Sequence, residues 1–321
     1  MNHKQLQVGF IGTGGISILH GKQLKELPEV NIAAIADISE SSRESFISQV
    51  GVPGILQFAD YLHLLDNVEL DAVVICSPHT MHYRQAKDAL QRDIHVLIEK
   101  PLACTSQETT ELVALAEAKE KVLQVSYQRH FWPVYRYVKQ TIDEGRIGKL
   151  TSVTASLHQG WKQAFEGTWR LDPSMSGGGM LMDSGSHILD VLLWTTGLTP
   201  KEVSVQMHRQ GTPVEIDSFT AISFEEGAIA GVNMVGSSPF QHEHYIYCGE
   251  KGAIHVTNGD IRILPFRQET VVPELPPHTS NPDKSFIDAI YGRHEVEVPG
   301  LFAQKVVLLT EMIYKAAGYQ P

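Results

Sequence analysis

Residues 7–17 read QVGFIGTGGIS. A short apolar run ends in Gly12 and Gly14, Ser17 takes the third place of a G-x-G-x-x-G/A pattern, and a stretch of helical period, ILHGKQLKEL (18–27), follows. Gly12 permits a tight turn, Gly14 lets a pyrophosphate approach the backbone, and the amides opening the next helix face the phosphates. A glycine cluster alone also marks a plain turn; the strand–turn–helix setting gives this one its weight. A second apolar run, NIAAIAD (31–37), ends in Asp37, 25 positions beyond Gly12. A carboxylate there accepts both ribose hydroxyls of an adenosine and repels a 2′-phosphate. At a strand end this role outweighs that of a mere cap for the next helix. Ile38 and Ser39, not arginine, follow it directly, so NAD is expected and NADP is disfavoured.

Working outward, DAVVICS (71–77), HVLIE (95–99) and VLQVSY (122–127) continue the apolar runs. They alternate with SSRESFISQV, MHYRQAKDALQ and SQETTELVALAEAKE, each of amphipathic helical period. Strands apolar on both faces alternating with helices predict a doubly wound parallel sheet of the Rossmann type. After about residue 150 the texture changes. TSVTASLHQG, EVSVQMHRQ, DSFTAISFEE, GAIAGVNMVG, HEHYIYCGEKGAIHVTNG and DIRILPF alternate polar and apolar residues with turn signals between them. They predict an open, mostly antiparallel sheet with one polar face. Helices are expected from SGSHILDVLLWTTG, stopped at Gly197, and in DKSFIDAIYG and LFAQKVVLLTEMIYKAAG. The expected fold class is α/β: a dinucleotide-binding domain over 1–126 and an α+β substrate-binding and oligomerisation domain over 127–321.

The 321 residues exceed one compact core, and 42% hydrophobic with 20% charged content describes an ordinary globular chain. The net charge of −11, with no basic run, argues against nucleic acid as a partner. Three widely spaced cysteines read as reduced thiols, and the start runs directly into a strand without a leader or a membrane-spanning run. A cytoplasmic location without a membrane partner is the expectation. No H-x-x-x-H or H-E-x-x-H spacing appears among the 15 histidines, so no metal site is expected.

The stretch HVLIEKPLAC (95–104) ends an apolar strand in Glu99, Lys100 and Pro101. Proline stops the strand, and a lysine at the carboxyl end of a parallel strand stands where such sheets bind ligands. With the glycine loop and Asp37, the sequence resembles the Gfo/Idh/MocA oxidoreductases. CSPHTMH (76–82) and GGGMLMDSGSHILDVLLW (177–194) extend the resemblance over nearly the whole chain. It implies a cofactor set of Gly12, Thr13, Gly14, Gly15, Ile16, Asp37, Ser77, Pro78, His82, Glu99 and Lys100. It also implies that Lys100 lies near the nicotinamide and the reacting carbon, and that the proline peptide is often cis.

Asp183 and His187 are four apart and share a helical face. After Gly177–Gly179, which would bring backbone close to ligand, they are the candidate acid/base pair: His187 as acid/base, Asp183 as its partner or an anchor for a substrate hydroxyl. Asp190 reads as structural. A neutral imidazole, unperturbed pKa near ~6.5, suits a base that later returns its proton, and Lys100 stabilises charge on oxygen, although a swap of those two roles stays open. The family's asparagine after Ser/Thr-Pro is His79 here, and its "NRRF" segment is Gln128–Phe131. In relatives that segment lines the substrate, which suggests Arg129. His158, Trp161, Trp169, Arg170 and Asp172 suit a polyhydroxylated ring. The expected activity is hydride transfer between NAD and a secondary alcohol or ketone of a sugar, cyclitol or related polyol. An NAD-dependent glycoside hydrolase or epimerase, or a non-catalytic NAD-binding regulator, are the competing readings. The polar sheet face is expected to pair two copies into a homodimer or homotetramer.

Overall fold

The computed structural model describes residues 5–319, which group into two compact units: 5–127 with 280–304, and 128–279 with 305–319. The first unit is built on six parallel strands: β1 (Leu6–Ile11), β2 (Val30–Ala36), β3 (Leu56–Phe58), β4 (Ala72–Ile75), β5 (His95–Ile98) and β6 (Leu123–Val125). Their order in space is β3-β2-β1-β4-β5-β6, with the reversal of direction between β1 and β4 that creates a ligand crevice. All four residues of β4 are buried, as a sheet covered on both faces requires. Helices α1 (Gly15–Lys25), α2 (Glu40–Val50), α3 (Tyr61–Asn67), α4 (His82–Gln91) and α5 (Ser106–Ala118) connect the strands. Thr105 and Glu108 form a reciprocal capping box at the start of α5. The expected strands and helices appear at their expected places, and β3 and α3 are additions. β3 is three residues long with two of them exposed, so no apolar run announces it.

The second unit contains α6 (Pro133–Asp143), strand β7 (Leu150–His158), two single-turn helices α7 (Trp161–Ala164) and α8 (Pro173–Ser176), and α9 (Ser186–Thr196). Strands β8 (Pro200–His208), β9 (Asp217–Phe224), β10 (Ile229–Val235), β11 (His242–Gly249), β12 (Gly252–Thr257) and β13 (Asp260–Pro265) complete a seven-stranded sheet ordered β13-β12-β11-β7-β10-β9-β8. Only the β7–β10 pair is parallel. In β7 the buried Val153, Ala155 and Leu157 alternate with more exposed positions such as Thr154 and His158. The opposite face stays open, with Phe219 and Ile229 more than half exposed.

Two helices close the chain, α10 (Pro282–Ile290) and α11 (Gly300–Ala316). Phe286 and Ile287 of α10 are fully buried in the core of the first unit with Val8, Phe10, Val74 and Leu97. A division into two consecutive segments, 1–126 and 127–321, is therefore corrected: residues 280–304 return to the first unit. Among the described residues no helix is long and apolar enough to cross a membrane.

Candidate active site

The loop between β1 and α1 uses its glycines for different purposes. Gly12 has φ +88°, and a Cβ there would lie 2.7 Å from the backbone of Cys76 and Ser77. That position is dictated by the fold. Gly14 and Gly15, in contrast, have no atom within 4 Å of where a Cβ would stand. Gly14 opens α1 without a side-chain cap, and the first turn carries no acidic residue. The positive end of an eleven-residue helix thus faces open space beside bare backbone, which fits a pyrophosphate. Ile16 is exposed at this opening, whereas Thr13 is buried and contributes its amide rather than its side chain.

That amide donates to Asp37 Oδ2 at 2.8 Å, and the Ser39 amide donates to Oδ1 at 2.8 Å. The cap of α2 is Ser39, not Asp37. Asp37 instead ties the glycine loop to the end of β2, and each carboxylate oxygen retains a lone pair for a ribose hydroxyl. The helical path of α2 also brings Arg43 alongside, donating from Nη1 to the Asp37 carbonyl. Inspection of the two residues after Asp37 misses it; its signal is the turn of helix that carries position 43 back.

Ser77 and Pro78 form the turn after β4, with the Ser77 hydroxyl donating to Gln85. His82, expected to contact the cofactor, is held between two loops. The ring is fully buried, with Nδ1 2.7 Å from the Pro101 carbonyl and Nε2 2.9 Å from the Ser77 carbonyl. Burial lowers its pKa, and the ring serves as a brace between two loops. The peptide between Lys100 and Pro101 is cis. Glu99 Oε2 accepts the Lys100 amide at 3.2 Å, and Oε1 lies 3.1 Å from His20 Nε2. His20 Nδ1 lies 2.8 Å from Asp283 Oδ1. No motif announces His20 and Asp283, which are 263 positions apart in sequence.

In the second unit, Asp183 sits in a π-helical turn, Leu181–Gly185, that runs into α9. Such wide turns recur at functional sites. Asp183 Oδ2 accepts from Trp161 Nε1 at 2.9 Å and from Arg170 Nε at 3.1 Å. The Arg170 guanidinium lies 4.4 Å from the Phe165 ring centroid and 4.5 Å from that of Trp169. Asp183, Trp161, Trp169 and Arg170 are thereby gathered into one group. His187 follows in the first turn of α9, half-buried where Ile188 and Leu189 are fully buried. Asp172 caps α8 instead, and His158 stacks on Phe240 with ring centroids 5.6 Å apart.

The triple glycine needs a different explanation from closeness to a ligand. A Cβ on Gly179 would lie 1.9 Å from the Glu215 carbonyl oxygen, and one on Gly178 would meet the Tyr314 hydroxyl. Glu215, 1% exposed, accepts from the amides of Gly179 at 2.7 Å and Leu181 at 2.9 Å and from the Tyr314 hydroxyl at 2.9 Å. Burial pushes its carboxyl up, against the pull of these donors. The glycines let this buried anchor grip the turn that carries Asp183. Arg129, expected on the substrate side, has a structural partner in this fold. It is 8% exposed and pairs bidentately with Glu243 at 2.8 and 2.7 Å. Asp190 is fully buried against His130 Nε2 at 2.7 Å, the structural role its sequence position suggests. Among the described residues no three His, Cys, Asp or Glu side chains are placed to hold a metal ion.

Comparison with known proteins agrees with this geometry. Residues 6–127 match the model of an oxidoreductase family with an NAD-binding Rossmann fold, and 135–255 match the GFO/IDH/MocA C-terminal domain. An uncharacterised oxidoreductase of Bacillus subtilis, YrbE, is 28% identical over 79% of this chain and 74% of its own. The scyllo-inositol 2-dehydrogenase (NADP(+)) IolW of the same organism is 25% identical over 72% of this chain and 63% of its own. The fold is shared with the WlbA dehydrogenase of Bordetella pertussis, solved with NADH and UDP-GlcNAcA, at a TM-score of 0.86 and 22% identity, covering 99% of this chain and 97% of that one. With both of its units matched in order, the chain belongs to the Gfo/Idh/MocA oxidoreductase family.

Proposed function

We propose that this oxidoreductase transfers hydride between NAD and a secondary alcohol or ketone of a sugar, cyclitol or related polyol. The observation that carries the reading is the bare helix N-terminus at Gly14 and Gly15 beside the Asp37 carboxylate. Asp37 favours the unphosphorylated ribose, since a 2′-phosphate beside a carboxylate is repelled. Arg43 stands beside this site with Nη1 donating to the Asp37 carbonyl, so the NAD preference rests on the Asp37 carboxylate and is read by direct titration. One similar chain is named for NADP, so NAD and NADP are compared directly in the test. Inositol and nucleotide-sugar names among the relatives support a polyhydroxylated substrate.

When bound, the dinucleotide supplies a hydride acceptor or donor at its nicotinamide. The residues of this chain do the rest. His187 takes the hydroxyl proton as the carbinol becomes a carbonyl and returns it in the reverse direction. Lys100 stabilises the negative charge that develops on the oxygen. Asp183, anchored by Trp161 and Arg170, holds a substrate hydroxyl or the His187 ring. The open sheet face, with Phe219 and Ile229 exposed, meets a second copy of the chain; a monomer at micromolar concentration in light scattering would sink that part.

The test is a panel of sugars, inositols and their acids incubated with NAD or NADP, with reduced nicotinamide read by absorbance. Turnover with at least one polyol, faster with NAD, is the expected result. No reduction across the panel, with intact dinucleotide binding, would remove the dehydrogenase reading.

A further inference from the structure

We propose that His20 and Asp283 are positioning residues for Lys100: a doubly protonated His20, bridging Glu99 and Asp283, fixes the carboxylate that receives the Lys100 amide. The geometry starts with the acceptors. His20 Nδ1 faces Asp283 Oδ1 at 2.8 Å and Nε2 faces Glu99 Oε1 at 3.1 Å. A neutral imidazole has one donor and one lone pair, so it would turn that lone pair toward a carboxylate oxygen. Only the imidazolium donates to both. Burial alone would drive the proton off, but the two carboxylates outweigh it and raise the pKa to about 10. Two further titratable groups feel these charges: the buried His82 ring, whose pKa is lowered by burial and by Lys100 against the pull of Glu99, and Cys76, whose thiol is pushed up by burial and by the charges of Glu99 and Asp283. A lowered imidazole and a raised thiol both stay neutral, so the proton rests on His20.

The consequence for Lys100 follows from what each partner can do without the others. Asp283 is fully buried near the start of α10, and its Oδ2 has no hydrogen-bond partner. Its charge is compensated mainly by His20 and the helix N-terminus. Glu99 is held at one oxygen by His20 and at the other by the Lys100 amide, so its carboxylate plane is fixed from behind. Helix α1, which opens at the glycine loop, and α10, which returns from a distant part of the chain, thus both bear on the Glu99–Lys100–Pro101 turn. Because His20 is held charged in the fold, its contribution to stability is fully present below the unfolded pKa near ~6.5. That contribution is lost as pH rises toward about 10.

The proposal rests on the role given above to Lys100, and the experiment keeps the two separable. Ring nitrogens of ¹⁵N-histidine-labelled wild-type protein are followed by NMR from pH 6 to 9, with the His20 signals assigned by difference. Both nitrogens should carry a proton throughout. The single variant His20→Gln strands a buried carboxylate and is expected to fold poorly, so kinetics use His20→Gln/Asp283→Asn, in which the amides replace the charged pair. This variant should bind NADH within about threefold of wild type and keep KM within about threefold. Its kcat should fall roughly 10- to 100-fold, as a small misplacement of a catalytic group does. A neutral His20 ring at pH 8, or a kcat within about twofold of wild type, would overturn the proposal. If wild type oxidises no polyol, the functional reading fails, while the NMR experiment still decides whether His20 is charged.

Discussion

The two motif glycines should behave in opposite ways when each is replaced by alanine. At Gly14 the backbone has φ −70°, which any residue adopts, and the added methyl meets no protein atom within 4 Å. Stability should hold or rise by about 0.4–1 kcal/mol, since alanine restricts the unfolded chain. The methyl instead occupies the space through which a pyrophosphate reaches the backbone. Loss of one charge-assisted hydrogen bond costs about 1.5–3 kcal/mol, so NADH should bind roughly 10- to 150-fold more weakly. At Gly12 the φ of +88° and the 2.7 Å approach to Cys76 and Ser77 put the whole penalty on folding. A left-handed residue costs about 1–2 kcal/mol and overpacking about 1–3, together roughly 2–5 kcal/mol. For a unit of this size that lowers Tm by roughly 4–20 °C. Thermal melts and NADH fluorescence titrations on both variants are the assay. If Gly14→Ala melted early and bound NADH normally, the assignment of that open space to a ligand would be wrong.

Three further outcomes follow from the site. Gly179→Ala forces a methyl onto the Glu215 carbonyl oxygen, 1.9 Å from its ideal position, and should destabilise the second unit by about 3 kcal/mol or more, read by urea denaturation; wild-type stability would refute the packing explanation of the triple glycine. Asp37→Ala should weaken NAD binding and relieve NADP, lowering the NAD preference at least about tenfold in parallel titrations; a wild type that prefers NADP contradicts the role of Asp37. His187→Ala should lower turnover on the order of 10²- to 10⁴-fold while NADH affinity stays within about threefold; near-normal turnover would remove His187 from the chemistry.

Much of the first unit was legible because parallel strands buried on both faces leave continuous apolar runs, as in β4 and β5. β3 escaped because an edge strand of three residues leaves no run. α10 was legible as a helix but not as part of the first unit, because Phe286 and Ile287 show their apolarity in sequence and not the core they enter. At the site, local motifs marked the glycine loop, Asp37 and the Glu99–Pro101 turn. They did not record the partners of Arg129 and His82: the Arg129 Nη atoms pair with Glu243, and both His82 ring nitrogens face backbone carbonyls. His20, Asp283 and Glu215 went unnoticed because a buried charge is defined by partners distant in sequence, and no spacing records them.

The central claim, direct hydride transfer between substrate carbon and nicotinamide, is tested by isotope transfer. A polyol that the enzyme oxidises, carrying deuterium on the carbinol carbon, is turned over with excess NAD, and the released reduced cofactor is analysed by mass spectrometry and NMR. The account predicts one deuterium per reduced nicotinamide, placed at C4, and accumulation of free product in step with substrate loss. Deuterium lost to water, or substrate converted with no reduced cofactor released, would contradict it.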